Sequence, residues 1–168
     1  TNTGDTLTLN AATGSWRLLG GTVVGGTIAF ADGSTFLTTT SVATFNGETL
    51  NSDMTIANGH FLSVSNGLTL NAALTLASTG STTDLRFNPG VQTLGGTGEV
   101  VLAGTSSNNR VLLGNGGTTT LTFGANIDVH GRGNITRSST STLINDGVIS
   151  ADVVGQALTV GASSFTFT

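Results

Sequence analysis

Apolar and polar residues take turns along this chain in short runs, and glycine and asparagine separate the runs. Alternation with a period of two is the mark of a β-strand with one buried face. Glycines that close a turn stand at Gly4, Gly26, Gly47, Gly67, Gly90, Gly117 and Gly147, spaced by 22, 21, 20, 23, 27 and 30 residues. A β-prone run follows each of them: 6–9, 27–30, 48–50, 68–70, 91–94, 118–123 and 148–150. A second run lies at 16–19, 35–37, 54–56, 74–76, 100–102, 127–129 and 158–160. A third leads to the next glycine, at 23–24, 43–45, 62–64, 85–87, 111–113, 143–144 and 165–167.

Three short strands per turn of some twenty residues predict a right-handed parallel β-helix of about seven coils, because one coil cannot bury its inner face alone. The longer fifth and sixth units need protruding polar loops, expected at 105–109 and 131–141. An antiparallel sandwich is the rival architecture. Pairs such as Asn46-Gly47, Asn66-Gly67 and Asp146-Gly147 are strong hairpin signals. A sandwich, however, does not require asparagines at one phase of a three-strand unit.

Asparagine precedes the closing glycine in six of the seven units, at Asn2, Asn46, Asn66, Asn88, Asn115 and Asn145. Asn tolerates left-handed turns. In stacked coils about 4.8 Å apart its amides can also bond along the axis as a ladder. Phe45, Phe87 and Phe167 recur in the third run and predict an aromatic stack.

The two ends read as complementary. Phe165, Thr166, Phe167 and Thr168 form a third strand without its turn, and Thr1, Asn2, Thr3 and Gly4 form a turn without its strand. Joined, they make the chain one period of a continuous stack, roughly 34 Å long at the coil spacing of β-structure. Neither end carries an amphipathic helix or a charge run, so uncapped ends are expected. Copies of the chain placed end to end, covalently or not, are the expected partner.

Composition narrows the function. Only 8% of the residues are charged, against about 25% in ordinary domains. Thr occurs 32 times and Asn 14 times, and Lys and Cys are absent. A net charge of -4 with no basic stripe argues against nucleic acid. No apolar run reaches the ~18 residues of a membrane-crossing helix.

The segment Trp16-Arg17-Leu18-Leu19-Gly20-Gly21-Thr22-Val23-Val24-Gly25-Gly26-Thr27-Ile28 resembles the GGTIxGGTI segments of very large bacterial surface and autotransporter-like β-helix proteins. The stretches 46–50, 66–71, 91–98 and 144–152 are similar to them too. The resemblance covers nearly the whole chain. It implies a secreted, surface-exposed module, recurring in tandem, with a structural or adhesive role and no cofactor.

Parallel β-helices include polysaccharide lyases and hydrolases, whose sites gather acidic and basic side chains on an exposed sheet face. Asp128 and His130 share a strand face, with Arg132 next in phase. No second carboxylate is expected to align with Asp128, and acid–base hydrolysis of a glycoside needs two. The trio therefore reads as a solvated surface group, and no enzyme is expected. Asp84 and Arg86 read as a weak exposed ion pair, and His60 as a surface loop residue. Gly95-Gly96-Thr97-Gly98 lacks the Lys and the helix of a phosphate loop. A glycan-binding adhesin or a polysaccharide-degrading β-helix is the alternative. Ice binding ranks below it: the Thr-x-Thr pairs 6/8, 38/40, 120/122 and 166/168 fall in different runs of the unit, so no array is expected.

Overall fold

The computed structural model describes residues 1–168. It is all-β, with no helix. The first strands are β1 (Thr6–Leu9), β2 (Trp16–Arg17), β3 (Gly21–Val24), β4 (Thr27–Phe30), β5 (Phe36–Leu37), β6 (Ala43–Leu50), β7 (Met54–Ala57), β8 (Phe61–Leu70), β9 (Ala73–Ser78) and β10 (Thr83–Phe87). The later ones are β11 (Gly90–Gly96), β12 (Glu99–Gly104), β13 (Asn109–Leu113), β14 (Thr119–Phe123), β15 (Asp128–Gly131), β16 (Gly133–Arg137), β17 (Thr142–Asn145), β18 (Val148–Ser150), β19 (Leu158–Val160) and β20 (Ser164–Phe167).

Every strand pairing is parallel, and each strand pairs with its counterpart one coil away. This is a parallel β-helix. The first face runs β1, β4, the second half of β6, the second half of β8, β11, β14, β17 and β20. The second face runs β7, β9, β12, β15 and β18, with β2 and β5 paired separately at the start. The third face runs β3, the first half of β6, the first half of β8, then β10, β13, β16 and β19. Seven coils are complete, and β20 begins an eighth.

Alternation decides which side chains turn inward. On the third face Leu62, Leu85, Val111, Ile135 and Val160 follow one another in register. On the second, Met54, Leu74, Val100, Val129 and Ile149 do the same. These files belong to or pack against a core cluster of 27 buried residues. Each fully buried Leu, Ile, Val or Phe contributes about 1.5–3 kcal/mol. Because the files run along the axis, each coil is held chiefly by its two neighbours.

Four sequence expectations need correction. The segment 131–141 is not a loop: it contains β16, whose Ile135 is fully buried. Gly133 and Arg137 flank too few apolar positions for the strand to stand out. The phase of the last units therefore slips by one strand. Gly147 turns the chain from first to second face, β18 lies on the second face and β19 on the third. Second, β20 pairs with β17 on the first face, so 165–168 is not a third strand completed by the 1–4 turn. Third, the aromatic stack does not form: Val64 lies between Phe45 and Phe87, and Phe167 pairs with Asn145 on another face. Fourth, Asn109 is not in a loop. It is a buried residue of β13 whose side-chain oxygen accepts from the Ser78 amide at 2.9 Å.

The corner between third and first faces also changes along the axis. β6 and β8 run straight through it, with a register shift between Asn46 and Glu48. From β10 onward the chain breaks there. The inward file that holds Leu7 passes Ile28, Leu50 and Leu70 and ends at Gly96. The file that ends at Phe167 passes Asn145, Phe123, Leu94 and Leu68 and starts at Glu48. Followed through these registers, Thr6 at the start of β1 aligns with Gly95 and Ser164 at the start of β20 aligns with Val91, so the first-face strands at the two ends sit four residues apart in register.

Candidate functional site

The outer side of the second face gathers the polar cluster singled out from the sequence. In register, Glu99 pairs with Asp128, and Val101 with His130. Val100 and Val129 turn inward and fix these polar neighbours outward. His130 Nδ1 lies 2.9 Å from Asp152 Oδ2, and Nε2 lies 3.3 Å from Glu99 Oε2. One imidazole thus bridges side chains of three successive coils. A second and a third carboxylate do accompany Asp128, against the sequence expectation. Glu99 and Asp152 were missed because their alignment depends on registers across long turns. Beside the cluster is a concavity of about 380 Å³ lined by Asp53, Asn71, Glu99, Asn126 and Asp128 among others. Arg132 does not join it. Gly131 turns the chain at a φ of 108°, and the Arg132 guanidinium donates to the Gly104 carbonyl.

Burial of the His130 ring disfavours its charged form. The Asp152 hydrogen bond, the charges of Asp152 and Asp128, and the Glu99 bond outweigh that and raise its pKa above the ordinary value of 6.5. The clasp therefore adds stability that is complete below pH 6.5 and fades as pH rises through the folded-state pKa. His130→Ala is expected to lower the melting temperature clearly at pH 5.5 and much less at pH 9. An equal loss at both pH values, in scanning calorimetry, would show that the ring acts by packing alone.

The asparagines behave in pairs. Asn66 Nδ2 donates to Asn46 Oδ1 at 2.7 Å, and Asn115 Nδ2 to Asn88 Oδ1 at 3.2 Å. Between the pairs Asn88 Nδ2 donates to Ser65 Oγ at 2.8 Å. Asn2 and Asn145 stand apart: Asn2 donates to the Thr27 carbonyl at 2.9 Å, and Asn145 faces inward and donates to the Gly147 carbonyl at 3.0 Å. A further axial pair, Asn71 to Asn51 at 2.8 Å, follows the first-face Leu70 and Leu50. The repeated Leu-Thr-Leu-Asn and Glu-Thr-Leu-Asn strings carried that signal.

Asp84 is fully buried rather than exposed. Arg86 reaches it at 2.7 Å, and Arg110 of the next coil grips both its oxygens at 2.7 and 2.9 Å. Arg86 also lies 3.7 Å above the Phe61 ring centre. His60 lies in the loop between β7 and β8, as expected, and is half-buried beside a second-face groove.

The expected stacking residues occupy opposite ends and do not meet. The Asn2 amide donates to the Val24 carbonyl at 2.8 Å, and Thr3 Oγ1 donates to the same carbonyl at 3.2 Å. At the other end the Phe165 and Phe167 rings lie 4.3 Å apart, and Phe167 is 68% exposed. Thr168 donates to the Asp146 carboxylate. Thr1 and Asn2 border a concavity of about 290 Å³ floored by Leu7, Trp16 and Leu18 of the first coil and by Phe36 of the second.

Comparison with known proteins adds no relative. No family model matches the chain, and no curated protein and no solved structure matches it.

Proposed function

We propose that the chain is a structural β-helix module of an extracellular or cell-surface fibre, continued by further coils, such as those of a second copy, at its two ends. The observation that carries this reading is the pairing at those ends. β1, β2 and β3 pair on one side only, as do β18, β19 and β20. Unpaired parallel edges above an apolar lumen are a template for another coil. Trp16 and Phe167, at opposite ends, are the large apolar side chains such a coil would cover. The four-residue offset of the first face means that a copy docks with its first-face strand shifted, not as a seamless period.

On this reading the second-face cluster plays a structural part, with the His130 ring tying Glu99 and Asp152 of the adjoining coils together.

Electron microscopy of the concentrated protein is expected to show filaments with an axial layer line near ~4.8 Å. Phe167→Asp is expected to shorten them severely while leaving the circular dichroism spectrum unchanged. Monodisperse single particles at every concentration would sink the stacking reading.

A further inference from the structure

The first face differs from the other two in what it shows to solvent. Its outward residues from β11 to β20 form two parallel files. Val91, Thr120, Thr142 and Ser164 are paired in succession, and so are Thr93, Thr122, Ile144 and Thr166. As expected from the sequence, the Thr-x-Thr pairs themselves do not form one array: 38/40 follows β5 away from this face, and 6/8 and 120/122 fall in different files. Single threonines line up instead, because β14, β17 and β20 lie on one face. A third file, Thr6, Thr27, Thr49 and Thr69, covers the first four coils of the same face.

Thr is a common choice for any exposed strand position. That general preference would spread Thr evenly and mix it with charge. The second face instead carries Glu99, Asp128 and His130, and the third carries Asp84, Arg86 and Arg110. No charged side chain points outward from the first-face strands; their one carboxylate, Glu48, turns inward and is buried.

The hydroxyls are also free. Thr3, Thr13, Thr39, Thr83 and Thr119 use theirs within the protein. None of the Thr hydroxyls in the three files is so used. Each leaves a hydroxyl and a methyl group facing outward.

We infer that this face binds ice. Successive coils place the files' members about 4.8 Å apart, and alternate residues of a strand lie about 6.7 Å apart. Both spacings are close to repeats of the oxygen lattice in hexagonal ice. The face is neutral, as ice is, and its methyl and hydroxyl groups suit a lattice of water rather than a charged polymer. A crystalline glycan would call for planar aromatic side chains to stack on sugar rings, and no aromatic residue points outward from these strands. This inference stands apart from end-to-end stacking, since it concerns the side of the rod.

The test uses the whole chain, labelled fluorescently and challenged with a growing ice crystal, with thermal hysteresis measured alongside. The protein is expected to coat and shape the crystal and to open a hysteresis gap. Thr122→Lys and Val91→Lys are expected to cut that gap at least fivefold. Thr75→Lys, on the outer side of the second face, is expected to leave it unchanged. Val91 is 84% exposed, so its replacement leaves folding intact even where Thr122→Lys does not. Exclusion of the unaltered chain from ice, or equal loss in Thr75→Lys, overturns the inference. Retention on microcrystalline cellulose without ice binding overturns it too, in favour of a glycan.

Discussion

Glu48→Leu is expected to stabilise the protein by about 3 kcal/mol at pH 8 and far less at pH 4. Glu48 turns inward on the first face, 1% exposed, and neither carboxylate oxygen has a hydrogen-bond partner. It is paired with Leu68, and Leu68 with Leu94, so it interrupts an apolar file. Burial pushes its pKa from 4.5 to about 7. The unfolded chain releases the proton from about pH 4.5 upward, while the folded chain keeps it to about pH 7. Stability from this group is therefore complete below pH 4.5, falls as pH rises, and levels off above pH 7. Leucine removes the titration and suits the file. Denaturant unfolding at the two pH values measures the difference. A gain independent of pH would mean that Glu48 finds water or a partner and does not titrate in the core.

How much of this was legible in the sequence depended on where the coils were regular. From 43 to 104 the Leu-x-Leu runs recur about every twenty residues, and the strand phases read there are those of β6 to β12. The phase was lost after Val129, where β16 has the letters Gly-Asn-Ile-Thr-Arg and a single deeply buried side chain. One apolar residue cannot display a period. That slip hid the threonine files, since β17 and β20 were assigned to the wrong face. It also hid the His130 clasp, whose partners lie 31 residues before and 22 after it. Glu48 gave no signal at all: a glutamate one residue after Asn46-Gly47 reads as an exposed turn residue. Only the register shift in β6 turns it inward. The neutral outer surface of the first face and the buried acid within it are thus parts of one arrangement.

The strongest test of the coil geometry is Gly131→Ala. Gly131 ends β15 at a φ of 108°, and a Cβ there would stand 2.3 Å from the Leu102 carbonyl oxygen in the coil below. Leu102 and Gly131 are direct ladder partners, so neither backbone can withdraw without breaking the pairing of β12 with β15. Backbone strain and overpacking together are expected to cost about 4 kcal/mol. Gly116→Ala is the matched control: its φ is 87°, but nothing lies within 4 Å of its Cβ position. There the cost is the left-handed backbone alone, about 1–2 kcal/mol. Hydrogen exchange at Val129 and Ile149 should rise in the Gly131 variant and stay protected in the Gly116 variant, because nearest-neighbour coupling confines the damage to the adjoining coils. Equal destabilisation by both changes would mean that the backbone angle sets the cost. A larger loss at Gly131 means that close approach of one coil to the next sets it, and that the same spacing fixes how the threonine files are ruled across the first face.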